Sequence, residues 1–207
     1  MNGLVASLAP IALMGMFVLL FVVLIAFSIQ QRNAAIAAWQ RFSQHTGIPL
    51  TGTYPMTSFH GSFRGATISL RHEMWRGHKG QRHYRHDLAV QLPIHTNDLS
   101  VTREGLADMV GKLFGGQDLQ IGEPRFDQAF RIRGSSEALA RDVLTPGVRA
   151  ALLAAVQQHP MVHLDGGAVR ITQAGIARAE QIQPQLDTLI AVVDAFQRDG
   201  AGRGGFS

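Results

Sequence analysis

Four histidines, His72, His78, His83 and His86, lie in residues 71–86 beside Arg71, Arg76, Lys79, Arg82 and Arg85. Imidazoles at this density could ligate a metal, and the cationic side chains could hold phosphates or carboxylates. The surrounding alternation of apolar and polar residues is that of a β-hairpin, and residues three apart on a strand face opposite ways. His83 and His86 therefore make no chelating pair without distortion. The stronger readings are a solvated basic hairpin or one that docks on anionic lipid or an acidic partner. Arg76, Lys79, Arg82 and Arg85 are the candidate residues for that contact.

Other chemistry is sparsely represented. Cysteine is absent, which excludes thiolate catalysis and Cys-ligated metal and fits a reducing compartment. There is no Gly-x-Ser-x-Gly elbow and no His-Glu-x-x-His pair. Asp127 and Asp165 fall beside strand ends or turns, where aspartate is common for backbone reasons. The Gly115-Gly116 loop lacks the Lys-Ser/Thr of a phosphate-binding loop. No catalytic, metal-ligating or cofactor-binding residue is assigned, and no cofactor is expected.

The hairpin must be positioned by its own strands. Ala66, Ile68, Leu70, His72 and Met74 share one face, and Tyr84, His86, Leu88, Val90 and Leu92 share one face of the next strand. Pairing residues whose numbers sum to 158 sets Leu70 opposite Leu88 and Ile68 opposite Val90. On the other face the same register sets Arg71 opposite Asp87 and Glu73 opposite Arg85. His72 then lies across from His86, an expected hydrogen-bonded or wet-margin pair. The loop around Gly77 and Gly80 is polar.

Downstream, residues 99–103 read as a short strand, and Leu106, Met109, Val110 and Leu113 recur at helical spacing. Phe126, Phe130 and Ile132 lie at even spacing and suggest a core strand. Ser135 or Ser136 can cap a helix carrying Leu139 and Val143. Thr145 with Pro146 is a cap and first-position proline for a helix bearing Val148, Leu152 and Val156. Residues 161–172 form the clearest hairpin, with Gly166-Gly167 as a two-residue turn that pairs Val162 with Ile171 and Leu164 with Val169. A last helix, bearing Leu186, Leu189, Ile190, Val193 and Phe196, is expected after Pro184. Residues 200–207 are expected to be a disordered Gly-rich tail.

Upstream, residues 11–29 contain no ionisable side chain. As a helix they rise about 28 Å, matching a ~30 Å hydrocarbon core. A cleaved signal would want basic residues before the apolar run and a small-residue cleavage site after it, and neither is present. The run reads as one transmembrane helix starting near Pro10. Arg32 and Arg41 follow it with no basic side chain before it, which orients the amino terminus outside and the following domain in the cytoplasm. Ala12 and Gly15 are three apart, so no small-xxx-small dimerisation face is evident. Ile36, Trp39 and Phe42 extend the helix as a stripe expected to dock on the soluble domain, with Gly47 and Pro49 as its stop.

The net charge of +4 is uneven: residues 1–87 hold eight Lys/Arg against two acids, whereas the remainder is slightly acidic. The basic excess thus lies nearest the membrane in sequence, where anionic headgroups attract it. No dedicated nucleic-acid face is expected.

The segment Lys112-Leu-Phe-Gly-Gly-Gln-Asp-Leu-Gln-Ile-Gly-Glu-Pro-Arg-Phe-Asp-Gln-Ala-Phe, with Ile132-Arg-Gly-Ser and Leu144-Thr-Pro, resembles an uncharacterised family of bacterial single-span membrane-anchored proteins over roughly residues 35–175. The resemblance implies an anchored α+β domain without an established activity. A pleckstrin-homology-like barrel is also compatible with several short strands and a closing helix.

The expected architecture is α+β: one N-terminal transmembrane helix, then a soluble domain of antiparallel strands and hairpins with several packed helices. The expected divisions are an anchor at 1–30, a juxtamembrane helix at 31–47, the soluble domain at 48–199 and the tail at 200–207. The functional expectation is a noncatalytic interaction domain of the bacterial inner membrane, an accessory or structural subunit stabilising a larger membrane protein complex. Its partners would be membrane lipid and other subunits of that complex. The alternative is a lipid- or small-ligand-sensing module at the cytoplasmic face.

Overall fold

The computed structural model describes residues 2–77, 80–94, 98–103 and 117–201. It has an α+β fold in which one long helix leads into an antiparallel sheet backed by helices. Helix α1 (Asn2–Thr46) runs unbroken through the apolar stretch and the stripe that follows. Pro10 lies inside it and not in its first turn, because helix-forming residues also precede the proline. The helix stops where Gly47 takes φ +72°, a left-handed conformation that glycine adopts without Cβ strain, with its N–H donating to the Ser43 carbonyl at 2.8 Å.

Nine strands follow among the described residues: β1 (Leu50–Thr51), β2 (Ser58–Phe63), β3 (Ala66–Arg76), β4 (Arg82–Gln91), β5 (Ser100–Arg103), β6 (Gln117–Leu119), β7 (Phe130–Gly134), β8 (Val162–Asp165) and β9 (Ala168–Ala174). Their order in the sheet is β1-β2-β3-β4-β9-β8-β5-β7-β6. The C-terminal β8–β9 hairpin thus sits in the middle, joining the β1–β4 and β5–β7 portions. β1 and β6 stand at the edges, so among the described residues the sheet is open and is not a barrel.

Cross-strand pairing follows the side-chain pattern closely. Leu70 faces Leu88, Ile68 faces Val90 and His72 faces His86 in one register that extends to Arg76 opposite Arg82. Val162 faces Ile171 and Leu164 faces Val169, with Gly166 and Gly167 at φ +58° and +73° forming the tight turn. Strand β2 is a separate partner of β3, joined through Arg64 and Gly65, both at positive φ. Asp87 does pair in register with Arg71, but its carboxylate goes to the next strand, accepting from Arg170 at 2.7 Å and Thr172 at 2.8 Å.

Four helices complete the described fold: α2 (Pro124–Ala129), α3 (Glu137–Val143), α4 (Pro146–Gln158) and α5 (Ala179–Ala201). Ser136 caps α3 through the Leu139 N–H, and Thr145 caps α4 through the Val148 N–H. Two expectations are corrected. Phe126 lies on α2 and not on a strand, because Pro124 starts a helical turn; its ring meets Phe130 at 4.7 Å. Helix α5 begins before Pro184, which lies within it, because Ile182 is already fully buried and extends the apolar stripe backward. The helix expected around residues 106–113 lies outside the described residues; of the tail expected at 200–207, the first two residues end α5 and the rest lie outside the described residues.

The core gathers Ile68, Leu70, Leu88 and Val90 from the sheet with Val148 and Leu152 of α4 and Ile182, Leu186 and Leu189 of α5. Trp39 and Phe42 of α1 belong to the same core. They contact Phe59 of β2 at ring-centroid distances of 6.5 and 5.1 Å. Ile36 is half-buried one turn earlier.

Candidate functional site

Beyond its apolar stretch, α1 forms one wall of a cleft of about 790 Å³ through Gln31, Ala34 and Ala35. The β1–β2 loop contributes Tyr54 and Pro55, the start of β4 contributes Arg82, His83 and Tyr84, and the segment leading into α5 contributes Gly175 to Glu180. The β4 end of the basic hairpin and the exit of the apolar helix therefore share one cavity.

The segment between β9 and α5 is fastened by the two histidines that face each other on β3 and β4. His72 Nε2 accepts from the Ala177 N–H at 3.2 Å, so that nitrogen carries no proton. His86 Nδ1 lies 3.1 Å from the Gly175 carbonyl, which requires Nδ1–H to donate. The Gly175 N–H donates in turn to the Tyr84 carbonyl at 2.7 Å. Burial, and then repulsion from His86, pushes the His72 pKa down to about 4. Both rings thus serve as struts for one wall of the cleft, His72 as a neutral one.

The candidate cations divide. Arg76 and Arg82 face each other at the end of the hairpin, both exposed. Arg85 turns back: it pairs with Glu73 at 2.5 Å and lies 5.9 Å over the Trp75 ring. Lys79 and His78 lie outside the described residues. Trp75 stacks on His83 at 5.5 Å while remaining 45% exposed, and Met74 beside it is 48% exposed. Met74 shares a face with Leu70 but sits past the end of the core. Arg178, Tyr54 and Trp75 escaped sequence reasoning. Their distance from one another along the chain left no local signal except the aromatic and basic composition near the hairpin turn.

Catalytic geometry does not assemble around the two aspartates. Asp127 accepts from the Ile121 and Gly122 N–H groups at 3.2 and 3.0 Å, holding the loop before α2. Asp165 ends β8 at the glycine turn. Among the described residues no three His, Asp or Glu side chains come together as a metal site.

Fold and site together define an α+β domain joined to a helix long and apolar enough to cross a membrane. The sequence matches no protein-family model and no curated protein. Among solved structures it is similar to the mycobacterial trehalose monomycolate transport factor A, TtfA. The TM-score is 0.50 at 13% identity, covering 79% of this chain and 94% of that one. At this identity the likeness is one of fold.

Proposed function

We propose that this chain is a membrane-anchored, noncatalytic interaction domain, an accessory or structural subunit of a larger protein complex in the bacterial inner membrane. The observation that carries the reading is the continuity of α1. Its large apolar side chains in residues 13–29 are 43–70% exposed, and the same helix then enters the domain core at Trp39 and Phe42. An all-round apolar surface of this length calls for lipid, and the docked continuation holds the domain close to it.

Arg32 and Arg41 favour a cytoplasmic domain, and Arg76, Lys79, Arg82 and Arg85 supply charge suited to anionic headgroups or an acidic subunit. The neighbour's description as a transport factor supports an accessory role. Membrane lipid and other subunits are the partners; nucleic acid is not.

The test is extraction of native membranes in mild detergent, native size separation and identification of co-migrating chains. A defined larger assembly containing another membrane protein is expected. Migration solely as a protein–detergent particle would contradict the reading. The second reading, a lipid- or small-ligand-sensing module, is favoured by the cleft.

A further inference from the structure

We propose that the cleft between α1, the β3–β4 hairpin and the start of α5 binds the headgroup of an anionic phospholipid from the adjoining leaflet. This rests on α1 spanning the bilayer. Its wall residues Gln31, Ala34 and Ala35 lie about 3 to 9 Å past Ile29 along the helix, at ~1.5 Å per residue. The headgroup layer on each side of the hydrocarbon core is roughly 5 to 7 Å thick. The cavity opens within the depth that phosphates occupy.

Its chemistry matches that occupant. Arg82 and Arg178 contribute two positive charges against the single carboxylate of Glu180, and the Tyr54 hydroxyl adds a hydrogen-bonding group. Ala34 and Ala35 leave an apolar, uncrowded side toward the helix. A volume of about 790 Å³ accommodates a phosphoglycerol group with the start of its acyl chains. Trp75, stacked on the lining residue His83 and half-exposed, is suited to the same interfacial layer. The excess positive charge selects an anionic headgroup over a zwitterionic one.

The test uses the full chain in nanodiscs of phosphatidylcholine with phosphatidylglycerol as the minor lipid, and native mass spectrometry to count lipids retained on release. The wild type retains phosphatidylglycerol beyond its share. Arg82→Gln with Arg178→Gln lowers that enrichment by about fivefold per arginine. Ala34→Trp, at an exposed helix position, fills the cleft without changing charge and also removes the enrichment. Arg71→Gln with Arg125→Gln, both exposed and outside the cleft, leaves it in place. The proposal is overturned if the wild type shows no enrichment. It is equally overturned if Ala34→Trp keeps the enrichment, or if the outside pair abolishes it as fully as the cleft pair does, since the cause is then diffuse surface charge. Displacement by inorganic phosphate as effective as by phosphatidylglycerol would make it a free-anion site and overturn it too. Release of the chain by alkaline carbonate would remove the anchor itself, whereas retention without lipid enrichment would remove only the cleft assignment.

Discussion

The indole of Trp39 lies 6.5 Å from the ring of Phe59, and through that contact the helix bearing the apolar run becomes part of the domain's core. Phe42 completes the cluster, edge-on to Trp39 at 5.8 Å and 5.1 Å from Phe59. The apolar helix and the domain are therefore joined through packed side chains at this junction and not by a flexible tether.

Trp39→Ala should destabilise the domain by about 3 to 5 kcal/mol, the usual cost of emptying a large aromatic site. Gln40→Ala, one residue along on the exposed side of α1, should change stability little. Denaturant unfolding of the full chain in detergent measures both. Equal effects would show that the helix is not fastened through Trp39.

Gly166→Val should destabilise by about 1 to 3 kcal/mol. An added Cβ meets nothing within 4 Å, so the cost is that of holding a β-branched residue at φ +58°. Gly166→Asn should be milder, because asparagine tolerates the left-handed region. Thermal unfolding would separate the two, and an unchanged midpoint for valine would mean that the turn relaxes freely.

Asp87 accepts from both Arg170 and Thr172, and its side chain is only 22% exposed. Asp87→Ala should cost on the order of 2 kcal/mol, since it leaves a partly buried guanidinium without its carboxylate. The companion variant Arg170→Met together with Asp87→Ala should recover part of that loss. No recovery would argue against coupling between the two residues.

Stability should fall as the pH drops from about 6.5 toward 4. The unfolded chain takes up a proton on His72 near its ordinary value, whereas the folded chain resists until about 4, so within this window the unfolded state binds more protons. The contribution is fully present above the window. It should amount to on the order of 1 to 2 kcal/mol, after discounting for the solvent screening of a half-exposed ring. His159, lowered in the same direction by burial, adds to the slope. His72→Gln should flatten the stability profile over this range relative to wild type, and an unchanged slope would shift the cause to other groups.

Much of the sheet was legible because several demands agreed on one answer. A single register satisfies Leu70 with Leu88 and Glu73 with Arg85, and Gly166-Gly167 permits only a tight reversal. Ser136 and Thr145 were legible as caps because their hydroxyls meet N–H groups three residues on. Phe126 and Phe130 misled because a spacing of four suits a strand face and a helix face equally, and Pro124 decides the matter. The partner of Asp87 was hidden because β9 comes to lie beside β4 only through long-range pairing. The cleft was hidden for the same reason: its walls come from four segments between Gln31 and Glu180, and no local pattern records their meeting.

The most direct test of the anchored arrangement uses the absence of native cysteine. Asn2→Cys and, separately, Ser135→Cys at an exposed site before α3 are exposed to an impermeant thiol label in intact spheroplasts. The expected result is labelling at residue 2 and protection at residue 135 until the membrane is permeabilised. Labelling at residue 135 with protection at residue 2 would contradict the proposed topology and place the domain on the opposite face of the membrane.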